Sequence, residues 1–300
     1  MDLLAHVSSG VFKPLQIADV TAFGAVYAIR ATNLFREGRP VPTWRIVSYF
    51  SGVALIAIAF VSPLAHLGGE LVTAHMIQHL LIADIAALLI VLGLTRAVLQ
   101  PIMALRAFDR LQFLTLPMIA LPLWIANLYI WHMPALYDGA VTNEFLHALQ
   151  HTCFISFGIL MWMPIAGPLP KPAWFGGGAQ VGYVVVARLA SAGLGNILMW
   201  SGSILYVEYA AGQDYWNISA VADQGTAGVI MMVEGGLITL GALAWALLRW
   251  AAQDTEKQRL LELAEERGVP LTPERAERAV SAGHGARLEE RITGAKAKHT

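Results

Sequence analysis

Apolar runs of roughly the length needed to cross a bilayer, about 20 residues, recur through the first 250 residues of this chain, separated by short polar breaks. Seven are predicted as membrane-spanning helices: 15–33, 45–62, 71–94, 112–131, 144–164, 180–203 and 225–250. Between the third and fourth, TRAVLQPIMALRAFDR is too short and too basic to cross and reads as an interfacial helix. The pattern therefore predicts an all-α membrane protein with seven transmembrane helices.

Loop charges orient it, because cytoplasmic loops retain Lys and Arg. The first loop and its flanks carry Arg30, Arg36, Arg39 and Arg45, the third Arg96, Arg106 and Arg110, and the fifth Lys171. The second, fourth and sixth carry no Lys or Arg but hold Glu70, Asp138, Glu208, Asp214 and Asp223. Tyr206, Tyr209, Tyr215 and Trp216 in these loops suit a headgroup region. This alternation puts the N-terminus outside and the C-terminus inside. The expected domains are a transmembrane region, 1–251, and a charged cytoplasmic tail, 252–300, short and helical.

Composition agrees: 56% of the 300 residues are hydrophobic and 14% charged, against about 25% charged in soluble domains. Charge is concentrated in the tail, which holds 18 of the 41 charged residues, so the net charge of −1 says nothing about partners. A single cysteine, Cys153, excludes an internal disulfide and reads as a buried thiol or a soft copper ligand. MDLLAHVSSGVFKP lacks the basic and apolar regions of a removable signal peptide. No GxxxxGK[ST], GxGxxG or CxxC occurs, and nothing points to nucleic acid.

The third span carries ionisable residues that are costly in hydrocarbon and hence functional suspects. His75 and His79 are four apart, one turn above each other on one helix face. The fifth span repeats this with His147 and His151. Both spans enter from the outside, so at 1.5 Å per residue each couple lies about 6 and 12 Å down. Two imidazole couples at the same depths can share one ion. The seventh span adds Met231 and Glu234, on one face, with Glu234 about 13 Å down. His132, Met133 and His66 stand at the outer mouth. Met76 and Cys153 are further auxiliary donors.

Three readings of these histidines stay open. Imidazole suits copper, zinc, iron and nickel, and nearby Met or Cys favours reduced copper. One histidine from each of two helices could instead hold a haem. A third reading has no metal, only a proton relay or a hydrogen-bonded core. Deeper in the membrane, Asp84 and Arg188 reach similar depth and are expected to pair. Ala187, Ser191 and Gly195 form a small-residue stripe for close helix packing. The tail is read as solvated and partly disordered, with a break at Gly268–Pro270 and a helix opened by a capping box in TPER. His284 and His299 belong to it and are not site candidates.

At HMIQHLL (75–81), WHMPALYDGAVTNEFLHALQH (131–151), GILMWMPIAGP and DQGTAGVIMM (223–232) the chain resembles the CtaG-type cytochrome c oxidase assembly proteins of bacteria. The resemblance covers roughly 15–250. It implies a seven-span membrane protein needed to assemble an aa3-like oxidase, through copper handling; the expected location is the bacterial inner membrane, multi-pass, with no enzymatic activity. Its shared histidines fall on His75, His79, His132, His147 and His151, and its acidic landmark on Asp223. The expectation is a copper site of His75, His79, His147 and His151, with His132, Met231 and Glu234 as further candidates. The expected partners are terminal oxidase subunits and periplasmic copper chaperones, and a homo-oligomer is compatible with the sequence. The alternatives are a bis-histidine haem protein carrying electrons and an assembly scaffold without metal.

Overall fold

The computed structural model describes residues 14–295, so residues 1–13, read above as lacking a signal peptide, and His299 lie outside the described residues. Among the described residues every regular element is helical. In chain order they are α1 (Pro14–Arg36), α2 (Thr43–Val61), α3 (Pro63–Leu67), α4 (Val72–Gly93), α5 (Arg96–Met103), α6 (Arg106–Leu111), α7 (Pro117–Trp131), α8 (Pro134–Thr142), α9 (Glu144–Ala166), α10 (Gly177–Trp200), α11 (Ala210–Trp216), α12 (Ala220–Glu266), α13 (Pro273–Ser281) and α14 (Gly285–Ala295).

Five of these, α2, α4, α9, α10 and α12, are long and apolar enough to cross a membrane. A sixth is reached if α6, its 3₁₀ extension and α7 count as one span, bent by 77°. The expected 112–131 span thus breaks at Leu116, which is extended (φ −69°, ψ 137°) ahead of Pro117 at the first helical position, because a residue preceding proline is driven out of helical conformation. α1 covers the first expected span as a helix, but Arg30, Thr32, Asn33 and Arg36 dilute its apolar character. The chain is a helical membrane protein.

Two compact units form. One comprises the described residues to Pro172 together with Val186–Ile238; the other, Ala173–Val185 with the described residues from Thr239 onward.

In the first unit, α4 is the central helix. Its Val72 end begins the histidine-bearing turns, and a π-helical stretch, Leu81–Ala86, follows directly after His79 and Leu80. At its other end, Arg45 donates to the carbonyls of Leu92 and Leu94 at 2.9 and 2.6 Å, and Tyr27 to that of Gly93 at 3.0 Å. These donors satisfy carbonyls that a helix terminus leaves unpaired. Arg45, in the first turn of α2, therefore caps α4.

Two close approaches fix the remaining packing. A Cβ on Gly158 would collide with the backbone carbonyl of Ala83, so α9 lies directly against α4 one turn past His79. A Cβ on Gly228 would meet Gly195 O at 2.5 Å and Met199 N at 2.8 Å, so α12 and α10 touch backbone to backbone. Gly195, expected to serve packing, does so. Small residues let membrane helices approach this closely.

The expected direct pair of Asp84 with Arg188 is not formed. Arg188 donates to Met232 O at 2.6 Å, and Glu234 stands within electrostatic reach of both Asp84 and Arg188. Depth arithmetic matched Asp84 to Arg188 without knowing that α12 places a second carboxylate beside both.

In the second unit, the tail expected to be partly disordered is folded over its described residues. Leu260, Ala264, Val280, Leu288 and Ile292 form a core, with Leu263, Val269, Leu271 and Ala279 packed on it. Period-3.6 apolar positions on three short helical stretches suffice for this. The chain turns at Gly268, whose φ of +65° suits glycine. Thr272 caps Arg275 N–H as expected, but position three is Arg275 rather than an acid, so the reciprocal half of the capping box is absent.

Candidate metal centre

α4 and α9 bring the two imidazole couples face to face. Ring centroids are 4.2 Å apart for His75–His79 and 4.3 Å for His147–His151. Across the helices they are 5.5 Å for His75–His147 and 5.3 Å for His79–His151. Each histidine thus faces its counterpart at the same level, as equal distances from the two helix starts require. One nitrogen each of His75, His79 and His147 lies within 4.8 Å of the others, a grouping that could hold one ion. His151 adjoins that trio and stacks on Phe60 at 4.9 Å.

Three of the four rings are buried: His75 is 1% exposed, His79 and His151 3% each, while His147 is half-buried, and Phe154 packs against His79 at 4.4 Å. Nε2 of His75 and both nitrogens of His79 are buried without a hydrogen-bond partner. Unmet buried polar atoms cost on the order of 1–3 kcal/mol each, so the cluster has donor atoms to offer an ion and little else to satisfy them. No carboxylate belongs to the trio, so any ion bound there would meet neutral nitrogen ligands.

His132 is buried at the C-terminal end of α7. Its Nδ1 donates to the Leu128 carbonyl at 2.7 Å, because a carbonyl can only accept, and Nε2 therefore keeps its lone pair. Its ring stands 6.0 Å from Tyr137 and 6.1 Å from Phe154, outside the trio. Met231 is buried on α12, and Met76 is buried beside His75 in sequence. Cys153 is half-buried and free. Glu234 has Asp84 and Arg188 as its charged neighbours. His66 pairs with Glu70 at 3.3 Å, and Met133 is exposed.

Sequence reasoning missed the cover over this cluster. Tyr206 and Tyr209, expected in a headgroup belt, are fully buried, as is Tyr137. Tyr137 stacks on Tyr206 at 3.9 Å and lies 4.9 Å from His75. Tyr206 donates to the backbone carbonyl of His132 at 3.0 Å, and the Tyr209 hydroxyl meets His75 Nδ1 at 2.7 Å. Gln150, fully buried, sits beside His75. The signal was available in principle: these tyrosines occupy loops at the same end of the bundle as His75.

Asp223 holds this cover down. Its carboxylate accepts the Val72 and Thr73 amides at 2.8 and 3.0 Å and the Gln213 side chain at 3.0 Å. Gln224 accepts the Leu205 amide at 2.9 Å. Trp216 donates to Glu70 at 2.7 Å, and a Cβ on Gly212 would run into the Glu70 backbone.

A profile of the cytochrome c oxidase caa3 assembly factor family matches residues 25–253. The chain belongs to that family. The matched range includes every histidine of the centre, the tyrosine cover and Asp223. Among curated proteins, this member of the caa3 assembly factor family is 23% identical over 245 residues to the uncharacterized protein Mb0105 of Mycobacterium bovis, covering 76% of this chain and 37% of that one. It is likewise 23% identical over 266 residues to the uncharacterized protein ML1998 of Mycobacterium leprae, covering 81% of this chain and 40% of that one. The chain thus spans well under half the length of these relatives. No solved structure matches.

Proposed function

We propose that the chain binds copper through His75, His79 and His147, with His151 as a fourth imidazole, and supports copper insertion into a terminal oxidase. The observation that carries this reading is the convergence of donor nitrogens from two helices within 4.8 Å. Copper accepts imidazole readily, and the oxidase named by the family is the object of assembly. The mechanism is ligand exchange without covalent catalysis: the neutral, largely buried cluster holds the ion, and a partner with competing ligands removes it at the half-buried His147 side. His132 offers an additional lone pair near the cover, whereas Met231 is at most auxiliary. Glu234 is left out of the ligand set because its neighbours are Asp84 and Arg188.

The topology that goes with this reading is seven spans, the five long apolar helices with the bent pair and α1 added. The N-terminus lies outside and the charged helical tail inside, in the bacterial inner membrane. The cluster then sits near the outer face, open to periplasmic copper donors and to the oxidase. Haem ligation is less well supported, since a haem needs one imidazole from each side whereas here both members of each couple converge.

The test is the copper content of oxidase purified from cells whose only copy of this protein carries His79→Ala or His147→Ala. The proposal expects oxidase depleted of copper in both strains. Full copper occupancy in both would reject it in favour of a scaffold role.

A further inference from the structure

Nδ1 of His75 faces two groups at once, the Tyr209 hydroxyl at 2.7 Å and the Gly68 carbonyl at 3.1 Å, while Nε2 has no partner. A neutral imidazole carries one proton, so two arrangements are open. If Tyr209 donates to Nδ1, the Gly68 carbonyl confronts a lone pair at 3.1 Å, and Nε2–H replaces the lone pair facing the other histidines. If Nδ1–H donates, Gly68 O and Tyr209 Oη both accept, and Nε2 keeps its lone pair toward the other histidines. The second arrangement is the one in which the Gly68 carbonyl receives a hydrogen, and the Tyr209 oxygen can accept from the same N–H. A carbonyl cannot play the opposite part, so Gly68 and Tyr209 together decide the matter.

Tyr209 is well placed to impose this. It is fully buried. Its segment is clamped over the start of α4 by Asp223 through Gln213, by Gln224 through Leu205, and by Trp216 through Glu70. The hydroxyl therefore does not depend on the mobility of a surface side chain for its position.

We infer that Tyr209 is a positioning residue for the histidine cluster: with the Gly68 carbonyl it fixes His75 as the Nδ1-protonated tautomer and turns Nε2 into the site. Acceptors on the distal ring nitrogen of a metal-binding histidine orient the ring and raise its basicity. The inference rests on the copper reading only for its effect on affinity; the tautomer is a property of the metal-free protein.

The experiment uses the full chain in detergent, with histidine labelled by ¹⁵N, and assigns His75 by comparison with His75→Ala. Metal-free wild type is expected to show Nδ1 protonated and Nε2 not. In Tyr209→Phe the Nδ1–H resonance is expected to move, and the Kd for copper to rise about tenfold. An Nε2-protonated His75 in wild type overturns the inference. So does a Tyr209→Phe protein with unchanged resonance, or with unchanged copper affinity. If wild type bound no copper at all, the copper reading would fall, and the tautomer measurement would still decide this one.

Discussion

Asp223 accepts the backbone N–H of Val72 at 2.8 Å, so the first turn of α12 caps the first turn of α4 just before His75. The first amides of a helix lack intrahelical partners, and a carboxylate there is further favoured by the helix dipole. Position 223, where the sequence resemblance places an acidic landmark, thus ties the start of α12 to the helix that starts the metal centre. Asp223→Ala is expected to destabilise the protein by about 1–3 kcal/mol and to weaken copper binding. Asp223→Asn, which keeps one acceptor oxygen, should fall between. Thermal unfolding in detergent and copper titration of the two variants check this; equal, wild-type behaviour in both would refute a capping role.

Gly158 has no side chain where the Ala83 carbonyl of α4 presses on α9. Gly158→Ala must push the two helices apart, at a cost of about 1–3 kcal/mol for overpacking. Because the contact lies one turn beyond His79, the separation widens the gap between the imidazole couples. Far-ultraviolet circular dichroism should be retained while copper affinity drops. Unchanged affinity would mean that the couples do not depend on this approach.

Much of this was legible in the sequence, for definite reasons. His75 and His147 stand three residues after the starts of α4 and α9, at Val72 and Glu144, so two helices entering from one side had to bring them level. The small residues at Gly195 announced a close contact. Other features depend on tertiary choices that periodicity does not encode. α12 runs on to Glu266 because no helix breaker intervenes between the apolar stretch and Gly268, even though the composition changes sharply at 252. Tyr206 and Tyr209 look in sequence like interfacial aromatics, and only Asp223 and Gln224, from another helix, reveal that their loop folds inward. Glu234 looked like a neighbour of His79 by depth alone, yet the facing of α12 gives it Asp84 and Arg188 instead.

The tail supplies a pH-dependent prediction. Arg259 makes a two-pronged ion pair with Glu289, at 2.8 and 2.6 Å, and this hydrogen bonding holds the Glu289 carboxyl below the usual glutamate range. A carboxyl lowered in the folded state stabilises it at neutral pH, and that contribution fades as pH falls through the lowered value. Glu289→Gln should therefore speed amide exchange in Gly285–Ala295 at pH 7, and the difference from wild type should shrink in acid. A difference that stayed constant with pH would rule out the ion pair as its source.

The central claim is that imidazoles from α4 and α9 close on one ion. It is tested most directly by X-ray absorption at the copper edge on the purified, copper-loaded chain, beside His75→Ala and His147→Ala. The account predicts one copper per wild-type chain with at least three imidazole nitrogens near ~2.0 Å, a distance typical of metal–imidazole bonds. It also predicts fewer imidazoles, or no bound copper, in each variant. Copper bound mainly through sulfur, or a wild-type spectrum unchanged by both substitutions, would contradict it.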